Sequence, residues 1–482
     1  MHEHDNGIAF QGTAERRSLE IGKASIGFDD DGVEKRTGTF WTASAHIITA
    51  VIGSGVLSLA WGMAQLGWIA GAFVLLLFSG ITYYTSCLLA DCYRSPDPVH
   101  GKRNYTYTDA VKANLDERRT KLCGIAQYIY LFATCLGYTL TAAISMAAIE
   151  RSNCFHKHGH DAHCPPKTNR FLIIFGCIQL FLSQIPNLHK LSWLSVIAAV
   201  MSFTYSTIGV GLSIARVSSK GASHNTSLTG VAVGVDVTST EKIWKVCQAL
   251  GDVAFAYAFT SILIEIQNTL KSSPPENKVM KKASFLGILV TTMYYMLCGF
   301  IGYAAFGNKA PGNFLTGFGF YEPFWLIDLA NVCIAIHLFG SYQVFGQPMF
   351  AYLERGCSRR WPSSSFVNNE LRTKILGFPF QFNMLRLVAR SLTVIIMTII
   401  TMIFPFFNDV VGLAGSMSFW PLAVYFPTEM YIRKRNLNKG SSEWWWLRLL
   451  SLLCLFVSIA AAVGSVQGLI TSLRSYKLFK FE

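Results

Sequence analysis

Residues 37–90 read TGTFWTASAHIITAVIGSGVLSLAWGMAQLGWIAGAFVLLLFSGITYYTSCLLA, 54 positions without one Asp, Glu, Lys or Arg. A helix needs ~20 apolar residues to cross a hydrocarbon core, so this run alone predicts two crossings. The bias extends to the whole chain. Of 482 residues, 51% are hydrophobic and 14% charged, against about 25% charged in soluble domains. Mean hydropathy is +0.36. The reading is an all-α polytopic membrane protein, a partner of the lipid bilayer. A soluble enzyme, a nucleic-acid binder and a secreted disulfide scaffold are excluded as wholes.

Working outward, charge-free stretches at 122–149, 171–189, 191–215, 283–308, 329–353, 391–408, 410–428 and 449–473 predict further spans. So does 243–270, which is apolar but interrupted by Asp252 and Glu265. With two spans in 37–90 the expected total is eleven transmembrane helices. If the N-terminus is inside, inner segments hold 28 Lys and Arg and outer segments 10. Basic residues collect on cytoplasmic loops, so a cytoplasmic N-terminus and an extracellular C-terminus are expected. Cys154 and Cys164 then fall in one outer loop, where an oxidising compartment lets them pair. Asn225-Thr226-Ser227 is an outer glycosylation sequon, whereas Asn104-Tyr105-Thr106 lies inside and should stay unmodified. Residues 1–36 are polar, include Asp29-Asp30-Asp31, and read as a disordered cytoplasmic tail without a cleavable signal. Trp444-Trp445-Trp446, just before the last span, suits the headgroup layer.

The first span carries Ile52-Gly53-Ser54-Gly55-Val56-Leu57 at its middle. Each glycine costs ~1 kcal/mol in a helix relative to Ala. A loosened turn at membrane depth is tolerated only where its peptide groups line a protein cavity. Gly-x-Gly also serves as a packing face. The sixth span repeats the signal about 200 residues later, with Gly251 next to Asp252 and then alternating small and aromatic residues to Ser261. Glycine-interrupted spans in matching places of two halves point to a transporter with inverted repeats. Free N–H groups suit an anion and free carbonyls a cation, so two facing breaks suit a molecule bearing both charges, such as an amino acid.

Residues 53–68 (GSGVLSLAWGMAQLGW), 404–431 (FPFFNDVVGLAGSMSFWPLAVYFPTEMY) and 303–348 (YAAFGNKAPGNFLTGFGFYEPFWLIDLANVCIAIHLFGSYQVFGQP) closely resemble the plant amino acid permeases of the amino acid/auxin permease family. The resemblance covers roughly 37–473. It implies a sodium-symporter-like fold of five plus five inverted spans, with helices 1 and 6 broken and an eleventh helix appended. It also implies proton-coupled L-amino acid uptake at the plasma membrane. The expected organisation is a first repeat at 37–215, an outer loop at 216–241, a second repeat at 242–430, and the last span with its tail at 431–482.

Titratable groups inside a membrane are functional candidates by default. Here they are His46, Asp252, Glu265, Asp328, His337, Arg390, Asp409 and Glu429. Asp252 is placed to couple a proton to a substrate ammonium, or to cap the broken half-helix. His46, on the cytoplasmic half of the first span, and His337 are further proton-coupling candidates, each with a packing alternative. Asp328 is a gate or a partner for Lys242 or Lys245, and Glu265 belongs to an inner gate. Arg390, with room to snorkel, Asp409 and Glu429 read as structural. For the substrate, amides at Gly53, Ser54 and Gly55 are expected to take the carboxylate and carbonyls near Phe255 and Ala256 the ammonium. Thr134, Tyr138, Phe255, Tyr257 and Asn331 are expected as walls.

One charge crossing 100 mV is worth ~2.3 kcal/mol and one pH unit ~1.4 kcal/mol. Protons as the coupling ion therefore suffice for an accumulation of several hundred-fold, with no cofactor. No GxxxxGK[ST] loop is present to suggest ATP drive. The outer run from His156 to Cys164 holds metal-binding residue types without a defined spacing, so no metal is expected. Rival readings are a sodium-coupled carrier and a membrane sensor that binds but hardly transports.

Overall fold

A computed structural model describes residues 29–32, 35–159, 161–165, 167–185, 192–219, 225–318, 323–375 and 378–475. Among the described residues, eight helices are long and apolar enough to cross a membrane, and a bent pair taken as one span makes a ninth. The architecture is α1 (Phe40–Val51), α2 (Gly55–Asp91), α3 (Tyr107–Asn114), α4 (Glu117–His158), α5 (Thr168–Leu182), α6 (Ser192–Ser218) and α7 (Ser239–Ala256). It continues with α8 (Leu263–Gln267), α9 (Glu276–Phe306), α10 (Phe324–Arg360), α11 (Met384–Ile403), α12 (Phe407–Ser418), α13 (Phe426–Lys434) and α14 (Ser442–Ser475). The two shorter apolar helices are α1 and α5. The all-α expectation needs one amendment. Two antiparallel hairpins, Arg94–Ser95 with Lys102–Arg103 and Glu370–Ile375 with Phe378–Asn383, sit in the loops expected inside.

Three interruptions shape the bundle. α1 stops at Ile52 and the helix resumes at Gly55. α7 ends at Ala256, and a 3-10 turn over Ala258–Ile262 leads into α8 at a bend of 42°. α12 runs into a π-helical stretch, Phe419–Tyr425, around Pro421, whose missing N–H breaks the regular ladder. The Leu422 carbonyl, whose i+5 neighbour Pro427 also lacks an N–H, accepts from the Tyr107 hydroxyl at 2.7 Å. The 37-residue α2 also bends at Gly67, with φ 80° and ψ 179°. Only glycine adopts that conformation readily. A Cβ there would lie 2.3 Å from the Leu228 carbonyl, because the outer loop folds over this elbow.

α9 packs along both pieces of the first interrupted element, with Gly287 against Ile47 of α1 and Gly302 against Ala60 of α2. Small residues replace the hydrophobic drive that helices lack in lipid. The segment before α1 is tied to the chain after α8 by backbone hydrogen bonds. Gly38 N–H donates to Thr269 O at 3.0 Å, and Lys271 N–H to Gly38 O at 3.0 Å. Arg36 adds bonds to Asn268 O at 2.7 Å and to its Oδ1 at 3.0 Å. Arg94 pairs with Glu276 at 2.7 Å. Burial alone would depress the Arg94 guanidinium, but the charges of Glu276 and Asp30 outweigh it and raise it above its ordinary value.

Several expectations change here. Residues 1–28 of the expected tail lie outside the described residues, but Asp29 and Asp31 are pinned by Arg36, each at 2.9 Å. Lys242 does not reach Asp328. It donates to the carbonyls of Gln65, Thr229 and Val231, while Asp328 accepts from Asn153. Asn104 is buried, its side-chain amide bonded to Cys92 O at 3.1 Å. Arg390 does not snorkel either. It is 2% exposed, bonded to Glu354 at 2.5 Å and to the carbonyls of Ser183 and Ile185. The helix end after α5 leaves those carbonyls open, and Nη1 of the guanidinium satisfies both. Arg390→Met is expected to destabilise the protein by about 3–5 kcal/mol. Thermal unfolding of the purified protein checks this; an unchanged midpoint would show that the pair contributes nothing net.

Candidate functional site

The two main interruptions face one another. A Cβ on Gly55 would stand 3.0 Å from Ala256 Cα, 3.2 Å from its Cβ and 3.3 Å from Phe255 Cδ1. One on Gly53 would stand 3.1 Å from the Tyr138 hydroxyl. Among the described residues, no backbone bond takes the N–H groups of Ser54, Gly55 or Val56. These are the orphan donors of a helix start, where the dipole also favours negative charge. The adjoining ends of α1 and α7 present carbonyls. Gly53 thus meets Tyr138, and Gly55 meets Phe255 and Ala256, where the two broken elements adjoin.

Tyrosines, not the expected walls, hold the opened carbonyls. The Tyr295 hydroxyl from α9 lies against both Val51 O and Ala256 O, at 2.8 Å from the latter. One hydroxyl has one proton, so it serves two acceptors only by sharing or alternating. Tyr205 reaches Ile52 O at 3.1 Å and Gly53 O at 3.0 Å. Tyr130 reaches Ala258 O at 3.2 Å, and Gln127 Nε2 reaches Ser261 O at 2.7 Å. The sequence signal was available, since a tyrosine deep in an apolar span must find a partner for its hydroxyl.

Each of the other expected walls has a hydrogen bond of its own. The Tyr257 hydroxyl donates to Thr292 at 3.0 Å on α9, and Thr134 donates to its own helix at Tyr130 O. Asn331 is buried on α10, with Nδ2 on Ile327 O at 2.9 Å and Oδ1 without a protein partner.

The titratable groups separate by environment. His337 is 0% exposed and joins α10 to α6. Its Nδ1 lies 2.8 Å from Ser202 Oγ and 2.9 Å from Ala198 O, and its Nε2 lies 2.8 Å from Ser341 Oγ. Ser202 Oγ in turn bonds Ile52 O at 2.8 Å, so the imidazole is one hydroxyl away from the first break. His46 is buried on α1, six residues before Ile52. Asp252 is 0% exposed and neither carboxyl oxygen has a hydrogen-bond partner. It is not at the Gly55–Ala256 contact but one turn before it. Oδ1 would lie 3.0 Å from a Cβ on Gly412, which would also meet Ser465 Oγ and Gln248 Cγ. A break-capping role is not what the structure displays. The carboxyl is wedged between α7, α12 and α14.

A cleft of about 520 Å³ opens above it, lined by Trp61, Trp244, Gln248, Asn408, Asp409 and Ser472, among others. Asp409 accepts from Gln248 at 2.8 Å and Ser472 at 2.6 Å, so it lines this cleft as well as joining helices. Gln248 stands one turn before Asp252. Glu429 is structural as expected, paired with Arg448 and, at 3.6 Å, Arg119. The expected disulfide is formed between Cys154 and Cys164. In the neighbouring histidine run His160 lies outside the described residues, and His156 stacks on Phe324 at 3.8 Å.

Comparison with known proteins places the chain in a family. A family model described as transmembrane amino acid transporter protein matches residues 36–471. Amino acid permease 6 of Arabidopsis thaliana is 60% identical over 463 residues, covering 96% of each chain. Amino acid permease 8 of the same plant is 59% identical over 466 residues, covering 96% of this chain and 98% of the relative. Among solved structures, MhsT in complex with L-phenylalanine aligns with a TM-score of 0.58 at 10% identity, covering 90% of this chain and 100% of that one. Mhp1, a nucleobase-cation-symport-1 family transporter, aligns at 0.56 with 12% identity, covering 91% and 93%. At those identities the likeness shows a shared transporter fold. By sequence over nine-tenths of its length, this chain belongs to the family of transmembrane amino acid transporter proteins.

Proposed function

We propose that the protein is a secondary active transporter, not an enzyme, that carries L-amino acids into the cell with protons by alternating access. The observation that carries this reading is the contact of the two breaks at Gly55 and Ala256, with unbonded N–H groups on one side and carbonyls on the other. The amides of Ser54, Gly55 and Val56 would take the substrate carboxylate. Carbonyls at the ends of α1 and α7, now satisfied by Tyr295, would take the ammonium once that hydroxyl turns aside. Tyr138 and Phe255 border the side chain. Asp252, and His337 through Ser202, carry the proton-coupling role; His46 is a further candidate on the same half-helix.

The finer architecture belongs to the same proposal. Dividing α2 at Gly67, and joining its first part to α1, gives eleven spans. Five in 37–215 and five in 242–430 form the inverted repeat, each opening with a broken element, and α14 is the appended span. The charge asymmetry puts the N-terminus in the cytoplasm and the C-terminus outside a plasma membrane. Asn225, which is exposed, would then be open to glycosylation.

In sodium-free medium at acidic outside pH, a neutral amino acid is expected to evoke inward current in cells expressing the protein. Current that appears only when sodium is restored would replace the proton with sodium. Saturable binding without current in either medium would favour a sensor.

A further inference from the structure

The bent α7–α8 element carries a second carboxyl whose environment mirrors that of Asp252. Asp252 lies on the outer half, and Glu265 thirteen residues later on α8, roughly 20 Å along the axis at 1.5 Å per residue. The break at Tyr257–Ile262 lies between them. Glu265 is an asymmetric carboxyl. Its Oε1 accepts from Tyr107 N–H at 3.1 Å and Gln127 Nε2 at 3.2 Å, while Oε2 is enclosed and has no partner. An oxygen already taking two N–H donors stays an acceptor in either protonation state. Oε2 is therefore the atom on which a proton would come and go.

That atom belongs to a residue lining a small inner pocket of about 10 Å³, with Thr106, Thr108, Gln127, Tyr352 and Arg355. Such a space holds about one water. Arg355 sits in the same pocket, held away by Asp109 at 3.3 Å. Asp109 is itself steadied by the Thr106 hydroxyl at 2.7 Å. The outer cleft and this pocket thus stand at opposite ends of one broken element, each beside an incompletely bonded carboxyl.

We propose that Glu265 is the group from which the coupled proton leaves on the cytoplasmic side. The idea rests on the proton-symport reading above and adds its inner terminus. The proton delivered through the transport site bonds to Glu265 Oε2. When the inner mouth opens, the Oε2–H bond breaks to cytosolic water. Arg355 then trades Asp109 for the new carboxylate and holds it ionised, so the proton does not return. The other titratable groups near this half-helix are Tyr107 on α3, Cys123 and Tyr128 on α4, and Tyr352 on α10. Asp91, at the end of α2, is occupied by Lys281 at 2.6 Å, and His46 is buried on α1. A permanently neutral side chain at 265 would keep the hydrogen bonds to Tyr107 and Gln127 but release nothing.

The experiment uses the full-length protein in sodium-free liposomes with a labelled mixture of neutral L-amino acids. Two readings are taken: uptake driven by an inside-alkaline pH gradient, and exchange against unlabelled amino acid without a gradient. Glu265→Gln is expected to lower gradient-driven accumulation at least tenfold while exchange stays within threefold of wild type. Gradient-driven accumulation at the wild-type level overturns the proposal, and so does equal loss of both readings by a folded variant. Glu265→Asp, which keeps a titratable group, decides the matter if the glutamine variant does not fold. It should shift the dependence of uptake on internal pH and leave the dependence on external pH alone; an unchanged internal profile overturns the proposal. Failure of the proton-symport reading is distinct, because then wild type itself shows no gradient-driven uptake.

Discussion

Asp252→Asn is expected to lower pH-gradient-driven uptake by about 100-fold, worth ~2.7 kcal/mol in the driven step, with normal amounts of folded protein at the surface. The expectation follows from what surrounds the carboxyl. It is fully buried, both oxygens lack hydrogen-bond partners, and Oδ1 lies against Gly412. An unpaired charge at that depth costs several kcal/mol. A carboxyl there is at ease neutral when enclosed, and charged only when water from the cleft or a cation reaches it. That exchange is what coupling requires. Asparagine has the same shape and no proton to exchange, so packing survives and coupling does not. Uptake assays at several external pH values, normalised to surface protein, make the measurement. Wild-type pH-dependent uptake in the variant would remove Asp252 from the mechanism.

Gly55→Val should abolish uptake of every amino acid tested, a loss of at least 100-fold, and lower the thermal midpoint. Even the first added carbon falls 3.0–3.3 Å from Ala256 and Phe255, tighter than ordinary contact. Valine adds two more carbons and a stiff χ1 at the point where the breaks meet. Overpacking of this kind costs about 1–3 kcal/mol. The functional effect is larger because the methyl groups crowd the N–H donors proposed to hold the carboxylate. Gly55→Ala is expected to be intermediate. Uptake by Gly55→Val at the wild-type rate would mean that the substrate does not sit between these half-helices.

The tyrosine latch shows where sequence reasoning stopped. Gly53 and Gly55 announced the first break because glycine's cost in a helix interior is a local property. Tyr205 and Tyr295 could not be matched to Ile52, Gly53, Val51 and Ala256, since those contacts join residues 39 to 244 positions apart. Tyr257 illustrates the opposite error. Its place in the interrupted segment suggested a wall, but the 3-10 turn rotates it toward Thr292. Arg390 is similar: its distance from the membrane edge suggested snorkelling, and only the packed bundle supplies Glu354 and two open carbonyls.

Hydropathy, charge asymmetry and glycine placement were sufficient by themselves to establish a polytopic helical protein, most of its spans and the two interruptions, because lipid imposes on each segment separately the need to bury its peptide groups. Which groups then face one another was decided only by tertiary structure. The side-chain carboxyl of Asp252 turned to Gly412 and the hydroxyl of Tyr295 placed between two half-helices depend on rotations about helix axes, and those rotations are set jointly by every neighbour in the bundle.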